Sequence, residues 1–275
     1  MALVRDFATT RDGIKLRYEI RGEGAPLALV MGFSGSMRGW NESFLELLEP
    51  RFKLILIDNR GTGESDKPEQ PWTMDTMASD VAAVLDAAKL PRTHVFGVSM
   101  GGMIAQTYAL TYPGRVRGLI LGCTNCGRTA SVAAKPDDLA NLMPDPKLTP
   151  IEQGQRAMTV VLSRGFLGSN AGREFLMRMA AEYGSYPVTP LHTFAHQGAA
   201  IGGFDSHSRL GEIKMPTLIV HGDDDLIVPF GNAEVLQKQI AGAKLHKIKG
   251  AGHMFWVEAP EEVARGITAF LSALN

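Results

Sequence analysis

The chain has 275 residues, of which 45% are hydrophobic and 21% are charged, which is typical of a globular protein with one large core. Its 28 lysine and arginine residues nearly balance 29 aspartate and glutamate residues, so the charge favours neither a nucleic acid nor a membrane surface as a partner. The N-terminus lacks the basic start and apolar core of a secretory signal, and no apolar run approaches the length of a membrane span. We therefore expect a cytoplasmic protein.

The first part of the chain predicts strands that alternate with helices. Residues 3–9 and 14–21 have the alternating pattern of a hairpin. Residues 26–31 and 52–57 are continuous apolar runs, typical of strands that are buried on both faces. Further strands are predicted at 93–96 and 116–121, and helices at 40–48, 74–88 and 103–112. This alternation implies right-handed crossovers and an α/β fold with a mostly parallel central sheet and helices on both faces.

Residues 127–209 interrupt the alternation, because they contain helix starts and no convincing strand. Thr149 to Glu152 form a capping box with proline at the first helical position, and two more helices are expected to start near Asn170 and Thr189. The alternation then resumes with strands at 216–221 and 244–248 and helices at 232–240 and 260–274. We predict one core domain, made of residues 1–126 and 210–275, and a helical lid of residues 127–209 over the C-terminal edge of the sheet.

A serine with glycine two residues before and two after lies between the predicted strand at 93–96 and the helix that follows. Gly97 and Gly101 allow the backbone to turn sharply there, which lifts Ser99 off the strand end with its hydroxyl exposed. The alternative is a glycine-rich turn with an idle serine. The Gly-x-Ser-x-Gly pattern in this context resembles the nucleophile elbow of the α/β-hydrolase family.

A candidate base for Ser99 is His253. A serine hydroxyl is a poor nucleophile unless a base takes its proton and a third group orients that base. Loops at the C-terminal ends of parallel strands converge, and His253 lies in a glycine-flanked turn after the strand at 244–248. Its position predicts a catalytic histidine that can reach the elbow.

The acid is one of three consecutive aspartates that follow the strand at 216–221. The order serine, acid, histidine is that of the α/β-hydrolases. The resemblance implies Asp225, because the family's Gly-x-x-Asp-x-x-x-Pro pattern matches Gly222, Asp225 and Pro229. Asp224 remains the alternative, and Asp223 is expected to be a solvated loop charge.

The resemblance also implies an oxyanion hole of two backbone N–H groups. One belongs to Met100, directly after the nucleophile, and the other to Phe33, in the loop after the third strand. Met31 stands where the family often has histidine at the start of this loop. Ser34 is a further candidate donor. The loop at 58–66 resembles the family's Asp-x-Arg-Gly-x-Gly-x-Ser segment, and we expect its charged residues to hold loops together.

No metal or cofactor is expected. Cys123 and Cys126 are interpreted as small buried thiols at a strand end, because no second pair of cysteines or histidines is placed to complete a zinc site. His192 and His196 lie four apart but without the glutamate of a His-Glu-x-x-His motif. A dinucleotide-binding site is disfavoured, since the glycines near residue 32 do not form Gly-x-Gly-x-x-Gly.

The family resemblance implies a serine hydrolase, and our hypothesis is one that cleaves carboxylic esters or lactones of small to medium apolar molecules. Ser34, Trp40 and Met254 are predicted to bind substrate, beside the oxyanion-hole residues Phe33 and Met100. A carbon–carbon bond hydrolase of the meta-cleavage type and a cofactor-free perhydrolase or haloperoxidase would use the same serine. A small-molecule receptor without turnover is the alternative from another class. Unpaired sheet edges and a near-zero net charge are compatible with a homodimer.

Overall fold

An eight-stranded sheet runs through the part of the chain that the computed structural model describes, residues 3–182 and 184–274. The strands are β1 Val4–Thr9, β2 Lys15–Arg21, β3 Ala25–Val30, β4 Phe52–Ile57, β5 Thr93–Val98, β6 Val116–Gly122, β7 Thr217–Gly222 and β8 Lys244–Ile248. Their order is β1-β2-β4-β3-β5-β6-β7-β8. The strands β1 and β2 pair antiparallel, β2 pairs antiparallel with β4, and all other pairs are parallel. The predicted α/β fold with a mostly parallel sheet is confirmed.

The described residues also form eleven α-helices. These are α1 Glu42–Leu48, α2 Met74–Ala87, α3 Met100–Thr111, α4 Pro136–Ala140, α5 Pro150–Val161, α6 Arg164–Leu167, α7 Asn170–Ala181, α8 Leu191–Gly203, α9 Gly231–Gln239, α10 Phe255–Glu258 and α11 Pro260–Ser272. The capping box before α5 forms, since the Thr149 hydroxyl accepts the N–H of Glu152 and the Glu152 carboxylate accepts the N–H of Thr149. The helices α4, α6 and α10 were not predicted, because four or five residues are too few to display a helical period.

Side chains of the central strands point alternately into two apolar layers. In β3, Leu27 and Leu29 face the layer that contains α1 and α11, whereas Ala28 and Val30 face the layer of α2 and α3. All four are fully buried. Since both faces are covered, the strand reads as a continuous apolar run in the sequence.

The helices α4 to α8 lie between β6 and β7, in the segment predicted to be an insertion. Two of its helices contact loops at the C-terminal ends of core strands. The Met254 N–H, after β8, donates to the carbonyl of Val161 at the end of α5 over 2.9 Å. On α8, the Thr193 hydroxyl donates to the carbonyl of Gly61, after β4, over 3.2 Å. The insertion is thus attached at the edge of the sheet where the candidate catalytic residues lie. Among the described residues, the helices are too short or too polar to cross a bilayer.

Candidate active site

Ser99 stands between β5 and α3 in a backbone conformation that few residues other than glycine adopt. Its φ is 56° and its ψ is −123°. Its N–H donates to the carbonyl of Gly122 over 2.9 Å, and its own carbonyl accepts the Thr124 hydroxyl over 2.7 Å. Such a conformation costs about 1–3 kcal/mol and persists only where surrounding bonds enforce it. Here the ends of β5 and β6 enforce it, and the half-buried side chain stays accessible.

The two glycines of the motif allow the first turn of α3 to approach the sheet closely. A Cβ atom on Gly101 would collide with the carbonyl oxygen of Val30 in β3. A Cβ atom on Gly97 would collide with the carbonyl oxygen of Gly101. Because neither position has room for a side chain, the spacing of the motif reflects helix–sheet packing as well as the turn at Ser99.

Asp225 and His253 meet across the ends of β7 and β8. His253 Nδ1 lies 2.8 Å from Asp225 Oδ2, and both side chains are buried. Asp225 Oδ1 accepts the backbone N–H groups of Ile227 and Val228, each over 2.8 Å. His221 Nε2 lies 3.3 Å from Asp225 Oδ2 and 2.7 Å from the carbonyl of Val228. The carboxylate is therefore fixed from several sides and presents one oxygen to the His253 ring.

The electrostatics of this pair favour an ionised carboxylate. Burial by itself would raise the pKa of Asp225, but the adjacent imidazoles of His253 and His221 hold it well below its usual range. Burial likewise opposes a charge on His253, yet the Asp225 carboxylate raises the pKa of the imidazole well above its usual value. The arrangement stabilises an imidazolium, which is what a histidine becomes when it takes a proton from a serine.

The structure distinguishes among the three aspartates. Asp225 contacts His253, whereas Asp224 is exposed, and among the described residues its hydrogen bond is the one from its backbone N–H to the carbonyl of Ala251. Asp223 accepts the N–H of Gly250 over 2.6 Å and so fixes the turn before the histidine loop. Within the described residues, Asp225 is thus the aspartate whose side chain meets His253, and its role as the triad acid stays a prediction.

Within the described part of the chain, no hydrogen bond joins the Ser99 hydroxyl to the His253 imidazole. Hydrogen bonds of this kind often tighten only when substrate binds. The buried Cys123 lies between Ser99 and His253. It follows Gly122, whose carbonyl accepts the Ser99 N–H, and its thiol lies beside the His253 ring. The sequence analysis did not predict that Cys123 neighbours His253. Its position directly after β6, the strand between those that precede Ser99 and Asp225, could have indicated this.

Cys123, Asp225 and His253 also form the cluster of metal-binding side chains that the described residues contain. Their ligand atoms lie within 4.8 Å of one another. However, Asp225 Oδ2 and His253 Nδ1 are already hydrogen-bonded to each other, and burial raises the pKa of the Cys123 thiol, which disfavours the thiolate that a metal needs. We therefore interpret the cluster as part of the candidate active site, in which Asp225 and His253 belong to the candidate triad and Cys123 is their neighbour. Cys126 is a second free, buried thiol.

The predicted oxyanion-hole donors flank Ser99. The loop after β3 passes so close that a Cβ atom on Gly32 would lie 3.0 Å from the Ser99 Cβ atom. Phe33 follows this glycine, and its N–H has no acceptor among the described residues. Met100 is the first residue of α3, where a backbone N–H has no intrahelical acceptor. Both N–H groups are thus free to bind an oxyanion.

The substrate-binding predictions fare differently. Trp40 is 2% exposed and packs against Phe44, Phe96 and Trp256, so its indole lies in the core, and its assignment as a substrate-binding residue stays a prediction. Its aromatic character and its position after the loop could not distinguish the two roles. Met254 is half-buried beside the histidine, where a pocket residue is expected.

Ser34 is held from both sides by the helical insertion. Its N–H donates to Gln197 Oε1 over 2.7 Å, and its carbonyl accepts the Thr189 hydroxyl over 2.9 Å. The backbone N–H of Ser34 is therefore engaged and cannot serve as the additional oxyanion donor, which leaves its hydroxyl. The sequence did not predict that Gln197 or Thr189 contacts Ser34, because contacts over more than 150 residues leave no local pattern.

The loop after β4 holds other loops in place, as expected from its motif. The Arg60 guanidinium makes two hydrogen bonds to the buried Asp80 carboxylate, at 2.5 and 2.6 Å. The Asp58 carboxylate accepts the N–H groups of Met37 and Glu64 and the hydroxyl of Tyr186. Because these charged groups bond to other groups of the protein, their contacts stabilise the loop.

Comparison with known proteins identifies the family to which this fold belongs. The alpha/beta hydrolase fold family matches residues 25–260. The poly(3-hydroxyalkanoate) depolymerase of Ectopseudomonas oleovorans is 31% identical over 228 residues, which cover 83% of this chain and 78% of that protein. The esterase RhEst1 from Rhodococcus sp. ECU1013 is similar with a TM-score of 0.84 at 25% identity, covering 98% of this chain and 99% of its own. Est816, an N-acyl homoserine lactone degrading enzyme, has a TM-score of 0.79 at 30% identity, covering 96% and 99%. The chain therefore belongs to the α/β hydrolase fold family.

Proposed function

We propose that this protein is a serine hydrolase that cleaves carboxylic esters or lactones of small to medium apolar molecules through an acyl-enzyme on Ser99. The observation that carries the proposal is the buried Asp225–His253 pair, with 2.8 Å between Oδ2 and Nδ1, at the edge of the sheet where Ser99 precedes α3. A poly(3-hydroxyalkanoate) depolymerase, an esterase and an N-acyl homoserine lactone degrading enzyme among the similar proteins support the choice of bond.

In the proposed reaction, His253 acts first as a base and then as an acid. Its Nε2 takes the proton of the Ser99 hydroxyl while Oγ attacks the substrate carbonyl, and Asp225 holds the Nδ1–H and stabilises the imidazolium. The N–H groups of Phe33 and Met100 bind the oxyanion of the tetrahedral intermediate. The imidazolium then protonates the leaving alcohol. A water molecule, deprotonated by the same imidazole, hydrolyses the acyl-enzyme and frees Ser99.

The helical insertion, residues 127–209, is proposed to be the lid that shapes the substrate pocket. Its Phe194 packs edge-on against Phe33, with 5.4 Å between ring centroids, so an apolar surface from the insertion lies directly beside the oxyanion loop. Met254 and the Ser34 hydroxyl complete the proposed contacts with substrate. Such a lining favours apolar acyl groups. The cytoplasmic location and the homodimer remain predictions.

The decisive experiment measures hydrolysis of p-nitrophenyl esters from acetyl to octanoyl and of a matched series of lactones. We expect turnover by the wild-type protein and its loss, by a factor of about 10⁴ or more, in Ser99→Ala. Ser79→Ala, which alters an exposed serine of α2, is the control and should retain full activity. Labelling by a fluorophosphonate, with loss of fluoride and a new bond to Ser99 Oγ, tests the nucleophile independently of the substrate. A folded wild-type protein that neither turns over esters or lactones nor is labelled would refute the proposal.

A further inference from the structure

The loop that carries the candidate oxyanion donor Phe33 is fastened to the helical insertion at its next residue. The Ser34 N–H donates to Gln197 Oε1 over 2.7 Å, and the Thr189 hydroxyl donates to the Ser34 carbonyl over 2.9 Å. Ser34 has a φ of 56°, a conformation that few residues other than glycine adopt. Both peptide groups of Ser34 are thereby held by side chains that lie more than 150 residues away.

The orientation of the Gln197 amide follows from this contact. A backbone N–H can bond only to the amide oxygen, so the Nε2 group must point the other way. Gln197 is 0% exposed, and Nε2 has no hydrogen-bond partner among the described residues. A buried donor without a partner opposes folding. The buried Nε2 group of Gln197 therefore lowers the stability of the fold, and the hydrogen bond that this side chain does make is the one to the Ser34 N–H.

Ser34 and Phe33 are adjacent, so the position of one constrains the other. Rotation about the bonds between them would change the position of the Phe33 N–H, which follows Gly32, the residue of this loop that lies close to Ser99. Two contacts oppose that rotation: the bond from Ser34 to Gln197, and the packing of Phe33 against Phe194, one turn earlier on α8. An oxyanion donor is effective only when it is fixed in place before the reaction starts.

We propose that Gln197 is a positioning residue for the oxyanion hole, assisted by Thr189: this one side chain of α8 holds the backbone of the loop that carries the Phe33 N–H. The inference rests on the proposed function of Ser99. It assigns a role to the polar contact that, among the described residues, joins α8 to the backbone of the Phe33 loop. Gln197 touches neither Ser99 nor His253 by hydrogen bonding within the described residues, and it acts through Ser34.

The test compares Gln197→Met, which keeps the length of the side chain and removes the acceptor, with Thr193→Val. Thr193 is the matched control, because it is also fully buried on α8 and bonds to the core, but at Gly61 and not at Ser34. We expect Gln197→Met to lower kcat by about 10- to 100-fold with little change in KM. Thr193→Val should stay within about threefold of wild type in kcat. A thermal melt of each variant establishes that it is folded.

Thr189 provides a second, independent variant pair. Thr189→Val removes the hydroxyl that binds the Ser34 carbonyl and should lower kcat with little change in KM. Thr189→Ser keeps the hydroxyl and should have the kcat of wild type. A purely structural contact would not lower kcat while leaving KM unchanged. If Gln197→Met keeps wild-type kcat, or if Thr193→Val loses as much as Gln197→Met, the proposal is wrong.

Amide hydrogen exchange at Ser34 decides the point without any substrate. Loss of the Gln197 acceptor should speed exchange of the Ser34 N–H by at least about tenfold, because this group then has no partner, while Thr193→Val should leave it unchanged. Unchanged exchange in Gln197→Met would overturn the proposal even if kcat fell. Failure of the function is separate: a wild-type protein that fluorophosphonate does not label refutes the nucleophile, whereas the exchange rates still report on how Gln197 holds the loop.

Discussion

The two oxygens of Asp225 have different partners, and this division determines what a substitution there would do. Oδ1 accepts two backbone N–H groups, from Ile227 and Val228, which fix the carboxylate. Oδ2 faces His253 Nδ1. An amide in place of the carboxylate can keep the first set of contacts. It loses the charge that stabilises the imidazolium and can present an N–H where the imidazole also needs to donate.

We predict that Asp225→Asn folds normally but lowers kcat by about 10³- to 10⁴-fold, because the imidazole is held in the wrong tautomer. Asp224→Asn is the control, since Asp224 is exposed and its side chain does not contact His253 in the described structure. Initial rates with the best ester substrate measure both. Equal losses in the two variants, or a loss below tenfold in Asp225→Asn, would contradict the assignment of the acid.

The same pair sets the acid limb of the pH–rate profile. His253 must be neutral to accept a proton, and the Asp225 carboxylate raises the pKa of its imidazole above the usual value. Activity should therefore be complete at alkaline pH and should fall as the pH drops through this raised pKa. In Asp225→Asn the residual activity should fall at a lower pH than in wild type, because the charge that raises the pKa is gone. A limb that does not move would show that another group titrates.

Among the elements, α3 lies especially close to the sheet at its first turn. Its first turn lies directly over β3, where the carbonyl of Val30 occupies the space that a side chain at Gly101 would need. Any added atom there must push the helix outward, and Ser99 at its N-terminus would move with it.

We predict that Gly101→Ala lowers the free energy of unfolding by about 1–3 kcal/mol, as overpacking does, and also reduces activity. Gly114→Ala is the matched control, because a Cβ atom at Gly114 would meet no atom within 4 Å. Urea unfolding followed by circular dichroism gives the difference. A Gly101→Ala variant as stable as Gly114→Ala would mean that α3 can shift without cost.

At the scale of the whole molecule, the sheet buries an ionisable group without a partner. His94 in β5 is 1% exposed, and neither of its ring nitrogens has a hydrogen-bond partner within residues 3–182 and 184–274. Burial, with further contributions from Arg117 and Arg92, lowers the pKa of His94 to about 4. Between about pH 6.5 and pH 4, His94 therefore stays neutral in the folded protein, whereas in the unfolded chain, with an imidazole pKa of 6.5, it binds a proton.

It follows that His94 makes the fold less stable as the pH falls from about 6.5 towards 4. We predict that His94→Leu reduces the loss of unfolding free energy between pH 7 and pH 5 by about 1–2 kcal/mol relative to wild type. Denaturant titrations of both proteins at the two pH values measure this difference. If the two proteins lose the same unfolding free energy, His94 binds the same number of protons in the folded and the unfolded state, and our account of its burial is wrong.

The sequence by itself determined the features that depend on local rules. Continuous apolar runs such as residues 26–31 follow from a strand covered on both faces, and the fold class follows from the alternation of such strands with amphipathic helices. Gly97, Ser99 and Gly101 mark a strand-to-helix turn because their spacing reflects backbone geometry within five residues. The catalytic roles assigned to Ser99, Asp225 and His253 remain predictions, on which the experiments above bear directly.

Tertiary structure alone decided which side chains meet. It brought the side chain of Asp225 against His253, placed Cys123 beside the same imidazole, and buried the Trp40 indole. It also joined Gln197 to Ser34 across 163 residues. These outcomes depend on how β7, β8 and the helical insertion pack together, and a neighbour in space contributed by a distant segment has no periodicity or spacing that a sequence pattern can reveal.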